Sequence, residues 1–553
     1  MNNKNEDLQL PPDVEVLIIG NGPVGATLAA LLGGHGIHTL VVDRNHDILL
    51  IPRAIALDNE ALRILQLAGL AEDAFEKVVI PEVKMHSPLL GQFSRANTRG
   101  CVDGHPKLVT FYQPDLERAM RAKSLCYDTV ASGAGFELEN MQQDADGVSV
   151  FLRDHQGRLR WVRAKYVIGA DGAHSRTRSL IGENFIGRSY GQDWLIVDTC
   201  SRQGKAIDHV EFICDPKRPT PHMPAPGGRE RWEFMMMPGE HREDMEKPER
   251  IAALLAPWIN PDDVQIERQA VYRFHARCCN RFQQGRIFLA GDAAHITPPF
   301  AGQGLVAGLR DAANLAWKLA WVIRGHAAPG ILDSYDAERR PHARKMIAFA
   351  RLMGNIVMPR NRLLAVLTHG LMRSLTLVPT IKRHIEELDI KPKNQFKSGL
   401  FIPSPKGNLA ICGRPLPQTV IRRADRTLHL SDDVLGDSVV LIGLGVDPRS
   451  VITPATARHW REAGGSFLQI GLRGQYGESS TPFVEDLNDL FLQRMPHPSV
   501  IAVRPDRVVM HAGSAREANH VVTQCLALLG HKQHSNNDEL SITIDGPPNE
   551  RAY

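Results

Sequence analysis

A glycine-rich turn near the start of the chain places the strongest constraint on its fold. An apolar run at residues 16–19 leads into Gly-Asn-Gly-Pro-Val-Gly at residues 20–25, and a second apolar run at residues 39–42 ends at Asp43. In such a strand–turn–helix–strand unit, the first glycine makes a tight turn, the second lets a pyrophosphate approach the backbone, and the third lets the helix pack against the strand. The helix N-terminus attracts phosphate, and the acidic residue accepts hydrogen bonds from ribose hydroxyls. The pattern predicts a Rossmann-type dinucleotide-binding unit, with a purely structural glycine turn as the alternative. The predicted contacts are Gly20, Gly22, Pro23, Val24, Gly25, Asp43 and Arg44.

Two later segments have the pattern of a short strand that ends at an aspartate between small residues. Residues 166–178 contain Gly-Ala-Asp-Gly with Asp171, and residues 286–304 contain Gly-Asp-Ala-Ala-His with Asp292. The carboxyl ends of parallel strands meet at one edge of a sheet, where open α/β sheets bind ligands. Both aspartates are therefore predicted to face the dinucleotide, with a helix cap as the alternative for Asp292. For Arg176 and Arg178, phosphate contacts and a solvated helix start are both open.

Composition and cysteine spacing argue against several classes of protein. The formal net charge is only +3 and no basic run occurs, which argues against a nucleic-acid partner. The eight cysteines form no Cys-x-x-Cys pair and do not cluster with histidines at zinc spacing. This disfavours the disulfide-reductase flavoproteins and a metal site. The polar N-terminus has no signal region, and no uninterrupted apolar window of about eighteen residues is present. We therefore expect a cytoplasmic protein without a membrane partner.

The order of the motifs resembles one family. A GxGxxG turn, then Gly-Ala-Asp-Gly, then Gly-Asp-Ala-Ala-His with Pro-x-x-Gly-Gln-Gly is similar to the pattern of group A FAD-dependent aromatic hydroxylases, the single-component monooxygenases of the p-hydroxybenzoate hydroxylase type. The resemblance spans residues 12 to 350. Within this family, residues 52–63, 214–219, 233–240 and 310–319 are most similar to the 3-(3-hydroxyphenyl)propionate hydroxylase branch.

The resemblance implies roles for particular residues. Asp292 would bind the ribityl chain of FAD, Asp171 would serve both FAD and the nicotinamide donor, and the loop at residues 298–304 would run along the isoalloxazine ring. The helix after this loop would point its N-terminus at the N1 and C2=O edge, where reduced flavin carries negative charge. The implied cofactor contacts beyond the glycine turn are Arg53, Gln113, Asp171, Gly291, Asp292, Pro299, Gly302, Gln303 and Gly304.

The family resemblance also implies a reaction. NADH or NADPH would reduce FAD, O₂ would form a flavin C4a-hydroperoxide, and this would hydroxylate the ring of a phenolic acid. The branch implies ortho-hydroxylation of 3-(3-hydroxyphenyl)propionate. Like group A enzymes, the chain has no second GxGxxG after a strand, since the stretch at residues 443–445 lacks the third glycine. Three alternatives stay open: another phenolic or heteroaromatic substrate, another flavoenzyme such as a halogenase or oxidase, and a silent FAD-binding protein.

A propionate side chain is an anion, which requires a cationic clamp near the flavin. The loop predicted at residues 216–228 contains five prolines and two glycines, and it contributes Arg218 and His222 as clamp candidates. Phe300, with Met235 or Met237, is expected to line the ring site. The predicted active-site residues are Pro298, Phe300, Gly302, Gln303, His222 and Arg218.

The chain is predicted to form several units in an α/β fold. We expect a Rossmann-type FAD-binding domain at residues 12–190 and 276–400. Its second part should contain a helical region, in which one helix ends and the next begins at Pro341. An antiparallel-sheet insert at residues 191–275 interrupts the FAD-binding domain. Residues 401–535, which include a linker at residues 403–405, resemble a thioredoxin-like domain without Cys-x-x-Cys. Within this domain, Thr453 is predicted to cap a helix that begins at residue 454. Residues 536–553 are expected to be disordered. A homodimer is one assembly that the resemblance allows.

Overall fold

The computed structural model describes residues 10–50, 53–202, 206–359, 361–403, 411–475, 480–491 and 497–531 of the 553-residue chain. The predicted disordered tail lies outside the described residues, as does most of the predicted linker.

Strands and helices alternate over the first part of the chain. The strands are β1 Asp13–Ile19, β2 Thr39–Asp43, β3 Ala56–Asp58, β4 Lys77–Val79, β5 Glu82–Ser87, β6 Gly91–Asn97, β7 Cys101–Val102, β8 His105–Pro106, β9 Leu108–Phe111, β10 Val130–Ala134, β11 Glu137–Gln143, β12 Val148–Arg153, β13 Leu159–Gly169 and β14 Phe185–Ser201. The helices are α1 Pro23–Gly34, α2 Asn59–Leu67, α3 Gln113–Ser124 and α4 Arg176–Leu180.

The remaining elements follow in chain order. The strands are β15 Val210–Ile213, β16 Thr220–Ala225, β17 Arg229–Met235, β18 Val264–Cys279, β19 Gln283–Gln284, β20 Ile287–Leu289, β21 His295–Ile296, β22 Val420–Arg423, β23 Leu428–Leu430, β24 Val439–Leu444, β25 Gly465–Gly471, β26 Phe483–Asp486, β27 Ser499–Val503 and β28 Val509–Ser514. The helices are α5 Arg242–Met245, α6 Pro248–Leu255, α7 Gly304–Ile323, α8 Asp333–Val357, α9 Arg362–Leu375, α10 Pro379–Glu386, α11 Asp432–Leu435, α12 Pro454–Glu462 and α13 Ala518–Leu528.

The first sheet forms the FAD-binding unit. Strands β10, β2, β1 and β13 lie side by side in parallel, and the end of β13 also pairs in parallel with β20. The central residues Val16, Leu17 and Ile18 are fully buried between the helices, and burying each such side chain stabilises the fold by about 1.5–3 kcal/mol. The register places Ile19 beside Gly169 and Gly169 beside Leu289. Three strands therefore end at one edge, as the sequence predicts.

The second sheet is antiparallel over most of its width. Its order is β21-β18-β14-β17-β16-β15-β5-β6, so it also includes two strands from residues 82–97. Strands β14 and β18 cross the predicted boundaries near residues 190 and 275 and join the two units without a break. The prediction of a loop throughout residues 216–228 is wrong, because β16 lies there. Each proline removes a donor only at its own position, and all six residues of β16 are buried between paired neighbours.

Helices dominate from residue 304 to residue 386. The predicted helix break at Pro341 is wrong, because α8 continues through that residue; packing on the core outweighs the hydrogen bond that proline cannot donate. No single helix in the described ranges is long and apolar enough to cross a membrane, although α9 and α10, bent by 110° at their junction, pass the same test together by length and composition.

The C-terminal sheet has the order β23-β22-β26-β25-β24-β27-β28, with β24, β25 and β26 parallel. The Thr453 hydroxyl accepts a hydrogen bond from the backbone of Thr456 and Pro454 opens α12, as predicted. A buried ion cluster joins this unit to the first one, because Arg504 donates to Glu338 of α8 at 2.7 Å and 3.0 Å. The α/β fold class with an FAD-binding unit and a separate C-terminal unit is thus confirmed.

Candidate active site

The glycine turn has the geometry that a dinucleotide requires. Gly20 has φ of +103°, and a Cβ there would lie 2.4 Å from the carbonyl oxygen of Ala170. A Cβ on Gly25 would lie 1.9 Å from the carbonyl oxygen of Gly20. A Cβ on Gly22 would meet no protein atom within 4 Å, so the open side of this residue faces the space in which a pyrophosphate would approach the N-terminus of α1.

Asp43 closes the same turn. One of its carboxylate oxygens accepts a hydrogen bond from the backbone of Asn21 at 2.8 Å, and the other accepts one from the backbone of Asn45 at 2.8 Å. These bonds fix the half-buried carboxylate at the end of β2, where a ribose could still reach it. Arg44 is exposed beside it.

Arg53, Gln113 and Asp292 come together across 239 residues of sequence. The Gln113 side chain accepts hydrogen bonds from the backbone of Arg53 and Ala54, each at 2.9 Å. The Arg53 guanidinium lies 3.9 Å from the Asp292 carboxylate, which is 39% exposed. Burial raises the pKa of Asp292, although Arg53 acts in the opposite direction. The Asp292 carboxylate accepts no hydrogen bond from the described residues, and the Arg53 guanidinium is largely exposed. Both groups fit the hydroxyls and phosphates of FAD.

The side chains of Asp171 and Arg178 form hydrogen bonds with other residues of the protein. The Asp171 carboxylate accepts hydrogen bonds from the Ser175 hydroxyl and from both the backbone and the hydroxyl of Thr177, so it holds the start of α4. Arg178 is buried and donates to the backbone carbonyls of Ala173 and Ala293. Arg178 is therefore not a solvated residue at a helix start, since it ties the two aspartate-bearing loops together.

A buried triad that sequence reasoning missed supports the Asp292 loop. His295 lies 2.7 Å from Asp311 of α7, and Arg339 of α8 donates to the same carboxylate at 2.9 Å. Asp311 also accepts from the backbone of Gly291 at 3.1 Å. Burial acts to raise the pKa of Asp311, but His295 and Arg339 outweigh it and lower that pKa. The signal in the sequence was the adjacent pair Arg310–Asp311 inside an apolar helix.

The loop at residues 298–304 is anchored from below. Gly302 has φ of +61°, a conformation that favours glycine. The Gln303 amide donates to Asp58 at 3.0 Å and accepts from Arg310 at 3.1 Å, so its side chain is held inside the protein. Helix α7 then begins at Gly304 with no side-chain cap and no acidic residue in its first turn. Its unpaired N–H groups are free to interact with an anion.

One face of the second sheet lies over this loop. Phe300 is 3% exposed and packs edge-on against Tyr190, Trp194 and Phe274, with ring centres 5.7–5.8 Å apart. Met235 pairs with Trp194 in the register and belongs to the same apolar cluster. Met235, rather than Met237, is therefore the methionine that belongs to this apolar cluster.

The same face carries charged side chains beyond Met235 on β17 and beyond Ile196 on β14. Trp194, Ile196 and Asp198 of β14 alternate with residues that face α6, and β17 presents Met235, Glu233 and Arg231 opposite them. Arg231 donates to Asp198 at 2.7 Å and 3.1 Å and to the carbonyl oxygen of Arg53 at 3.1 Å. Arg268 of β18 lies 3.1 Å from the same Asp198 carboxylate.

The predicted clamp candidates Arg218 and His222 do not belong to this cluster. His222 pairs with Trp232 in the register and stacks on its ring at 3.4 Å, so it lies on the opposite face of the sheet, because side chains alternate along a strand. Arg218 forms a two-pronged ion pair with Glu240, at 2.9 Å and 2.6 Å. Burial alone would raise the pKa of Glu240, yet Arg218 and Arg250 lower it to about 2. The structure offers Arg231 and Arg268 instead. Within the described ranges, no group of three or more His, Cys, Asp or Glu side chains could hold a metal ion.

Known proteins share this architecture. The FAD binding domain family matches residues 13–350, and the HcaD C-terminal domain family matches residues 413–528. The 3-(3-hydroxy-phenyl)propionate/3-hydroxycinnamic acid hydroxylase of Mycolicibacterium smegmatis is 34% identical over 547 residues, which cover 95% of each chain. The protein of the same name from Comamonas testosteroni is 32% identical, covering 96% of this chain and 99% of its own. The fold and site define an FAD-dependent flavoprotein monooxygenase. The chain belongs to the family of FAD-dependent aromatic hydroxylases.

Solved structures agree at the level of the fold. The flavin-dependent monooxygenase PieE, in complex with FAD and substrate, superposes with a TM-score of 0.79 at 22% identity, covering 93% of this chain and 99% of its own. Aklavinone-11 hydroxylase, in a ternary complex with FAD and aklavinone, gives 0.74 at 21% identity, covering 94% and 100%.

Proposed function

We propose that this flavoprotein uses NADH or NADPH and O₂ to add a hydroxyl group to a phenolic aromatic acid. The substrate that we favour is 3-(3-hydroxyphenyl)propionate, hydroxylated ortho to its existing hydroxyl. One observation carries this proposal: the sheet face above the loop at residues 298–304 is aromatic at one end and carries the buried Arg231 and the partly buried Arg268 at the other. The relatives named as hydroxylases of this acid support it.

The apolar end suits an aromatic ring. Trp194, Met235 and Phe300 exclude water there, and the hydroxyl oxygen of Tyr272, beside Trp194 in the register, is buried with no hydrogen-bond partner in the described parts of the chain. A buried hydroxyl without a partner costs free energy, which a bound phenol oxygen would offset. We therefore assign Tyr272 to orient the substrate's hydroxyl.

The charged end suits a carboxylate. Met235 and Arg231 are four residues apart on one strand, and at about 3.3 Å per residue this separates them by roughly 13 Å. Long arginine side chains shorten that span, so a ring near Met235 with a two-carbon side chain would bring its carboxylate toward Arg231 and Arg268. Arg231 and Arg268 bring two positive charges to this end of the face, where both lie against the Asp198 carboxylate.

The FAD contacts divide the remaining work. When bound, FAD supplies the electron transfer from the nicotinamide and the activation of O₂. Asp43 and the turn at residues 20–25 would hold its adenosine and pyrophosphate. Arg53 and Asp292 would hold the middle of the cofactor, and the N-terminus of α7 would favour negative charge on the ring. Gln303 and Asp58 keep the loop in place from the protein side.

A substrate panel tests the proposal. Purified protein should be yellow and release FAD on denaturation. Phenolic acids, their neutral methyl esters and amides, and polycyclic phenols would be compared for nicotinamide consumption and for hydroxylated product by mass. We expect product only from a phenolic acid, with one oxygen added. A preference for neutral or heteroaromatic rings would contradict the substrate class but leave the hydroxylase family intact. A homodimer stays a prediction.

A further inference from the structure

Glu233 is the buried charge on this face that lacks a partner. It lies in β17 between Met235 and Arg231 and is 7% exposed. Its carboxylate makes no hydrogen bond or ion pair with any residue that the structure describes, whereas Asp198, two residues away across the sheet, is held by two arginines. An unpaired buried carboxylate is costly unless it is neutral or something compensates it.

The groups around Glu233 come from three strands. Arg231 lies on its own strand, Asp198 on β14, and Arg268 and Tyr272 on β18. Burial raises the pKa of Glu233 to about 7; Arg231 and Arg268 oppose this rise, and Asp198 adds to it. The cluster therefore has no net charge when Glu233 is ionised and one net positive charge when Glu233 is neutral.

A second anion changes this balance. If the substrate carboxylate entered beside ionised Glu233, the buried cluster would carry one uncompensated negative charge. If Glu233 is neutral, the same carboxylate brings the cluster to zero. In a medium of low dielectric this difference is large.

We propose that Glu233 determines the specificity for anionic substrates by binding them as the neutral acid, so that solvent supplies a proton to Glu233 whenever a carboxylate binds to protein in which Glu233 is ionised. This inference rests on the proposed function. The only bond that changes is the O–H bond of Glu233, which forms with a proton from solvent when the anion binds and breaks when the anion leaves. The device makes the site accept a carboxylate only together with a proton, and it sets an upper limit of pH on substrate binding.

The dependence of affinity on pH tests the proposal. The change in flavin absorbance on adding 3-(3-hydroxyphenyl)propionate to the FAD-loaded protein would give the dissociation constant from pH 6 to pH 8.5, a range in which the carboxylate and phenol of the free acid do not titrate. With a group of pKa about 7 that must be protonated, the dissociation constant should rise by about fivefold between pH 7 and pH 8. The neutral primary amide of the same acid should show no such rise.

Two variants separate Glu233 from its neighbours. Glu233→Gln keeps the shape and removes the titration, so the acid should bind with nearly constant affinity from pH 6 to pH 8.5. Glu230→Gln is the matched control, because Glu230 lies three residues away on the same strand, faces the other side and pairs with His222 at 3.2 Å. It should keep the pH dependence of the parent.

The parent protein alone gives a second measurement. Calorimetry at pH 7.5 in two buffers of different ionisation enthalpy should show uptake of about 0.8 proton per bound acid, and none for the amide. If the acid binds with an affinity independent of pH and without proton uptake, the role of Glu233 is wrong and the proposed function stands. If no phenolic acid binds at any pH, the proposed function fails and the inference fails with it.

Discussion

Two glutamates, Glu338 and Glu233, are both buried among arginines, yet their surroundings differ in one respect. The Glu338 carboxylate is fully buried and accepts hydrogen bonds from Arg504, Lys318 and Asn314. Burial acts to raise its pKa, but Arg504 and Lys318 outweigh burial and lower that pKa. The Glu233 carboxylate accepts no hydrogen bond from any described residue, and burial raises its pKa.

This difference distinguishes a buried charge that stabilises the fold from one that is available to a ligand. In the Glu338 cluster every charge is satisfied by the protein, and the cluster fastens the C-terminal unit to α8. In the cluster on the second sheet, the Glu233 carboxylate has no hydrogen-bond or ion-pair partner among the described residues, and it lies on the face that opposes the loop at residues 298–304. A buried charge that the fold does not compensate is a candidate for ligand binding.

The largest effect should come from removing the paired glutamate. Glu338→Ala leaves the buried Lys318 without its carboxylate partner and the buried Arg504 with Asp506 in place of two carboxylates, which should lower the free energy of unfolding by about 3–5 kcal/mol. Urea denaturation of the FAD-loaded protein measures this. Glu139→Ala, which removes an exposed partner of Arg153, is the control and should change stability little. If Glu338→Ala lowers the free energy of unfolding only slightly, the Glu338 cluster does not have the structural role that distinguishes it from the Glu233 cluster.

Asp292 lies between the two cases, since its ion pair with Arg53 is long, at 3.9 Å. Asp292→Ala should weaken FAD binding by about 1.5–3 kcal/mol, because a hydrogen bond between a cofactor hydroxyl and a carboxylate is lost. Fluorescence of the released flavin during dialysis measures retention. The exposed Asp144, which pairs with Arg163, serves as the control through Asp144→Ala. Equal retention in the parent and Asp292→Ala would contradict the role of this loop.

Glu233 should make the fold less stable as the pH rises. Its pKa in the folded protein, about 7, exceeds the ordinary value of 4.5, so the unfolded chain loses this proton first and stability falls between those two values. From pH 5.5 to pH 8 the loss from this group should be about 2 kcal/mol, and Glu233→Gln should remove it. Urea denaturation at both pH values, without substrate, measures the slope; equal slopes in both proteins would contradict an unpaired Glu233.

The arginines offer a comparison of binding. Arg231→Met should raise KM for the phenolic acid by about tenfold or more, equivalent to about 1.4 kcal/mol, and leave KM for its amide nearly unchanged. Arg218→Met is the matched control, because Arg218 already pairs with Glu240 outside the cluster. A larger effect in Arg218→Met would reverse the assignment.

The smallest effect should come from the C-terminal cysteines. Cys412 and Cys525 are buried, and burial raises the pKa of the Cys525 thiol, which keeps it protonated and unreactive. Cys412→Ala and Cys525→Ala should leave turnover per bound FAD unchanged. A requirement for either thiol would contradict a purely structural role for the unit that the Glu338 cluster fastens. The intact chain is the right test, since truncation would also remove Arg504.

Local patterns in the sequence carried much of the fold and the cofactor site. The glycine turn, Asp43 and the strand that precedes Asp292 each depend on neighbours within about thirty residues, where strand and helix periodicity constrain the backbone. Thr453 likewise caps its helix through a residue three positions away. Such contacts are written in adjacent residues, so the sequence predicts them.

The substrate side was decided by tertiary structure. The prolines at residues 216–226 led to the prediction of a loop where the structure has a strand at residues 220–225. The register of this strand places His222 on the face opposite the active-site loop. Arg310, Asp311 and Arg339 became supports of that loop only because α7 and α8 pack together. Arg218 contacts Glu240, 22 residues away, and Arg231 contacts Asp198, 33 residues away. These long-range contacts decide which of the two arginines lies on the face above the active-site loop. The sequence determined which groups the protein has; the register of the sheet decided which of them are paired, because one residue along a strand reverses the face.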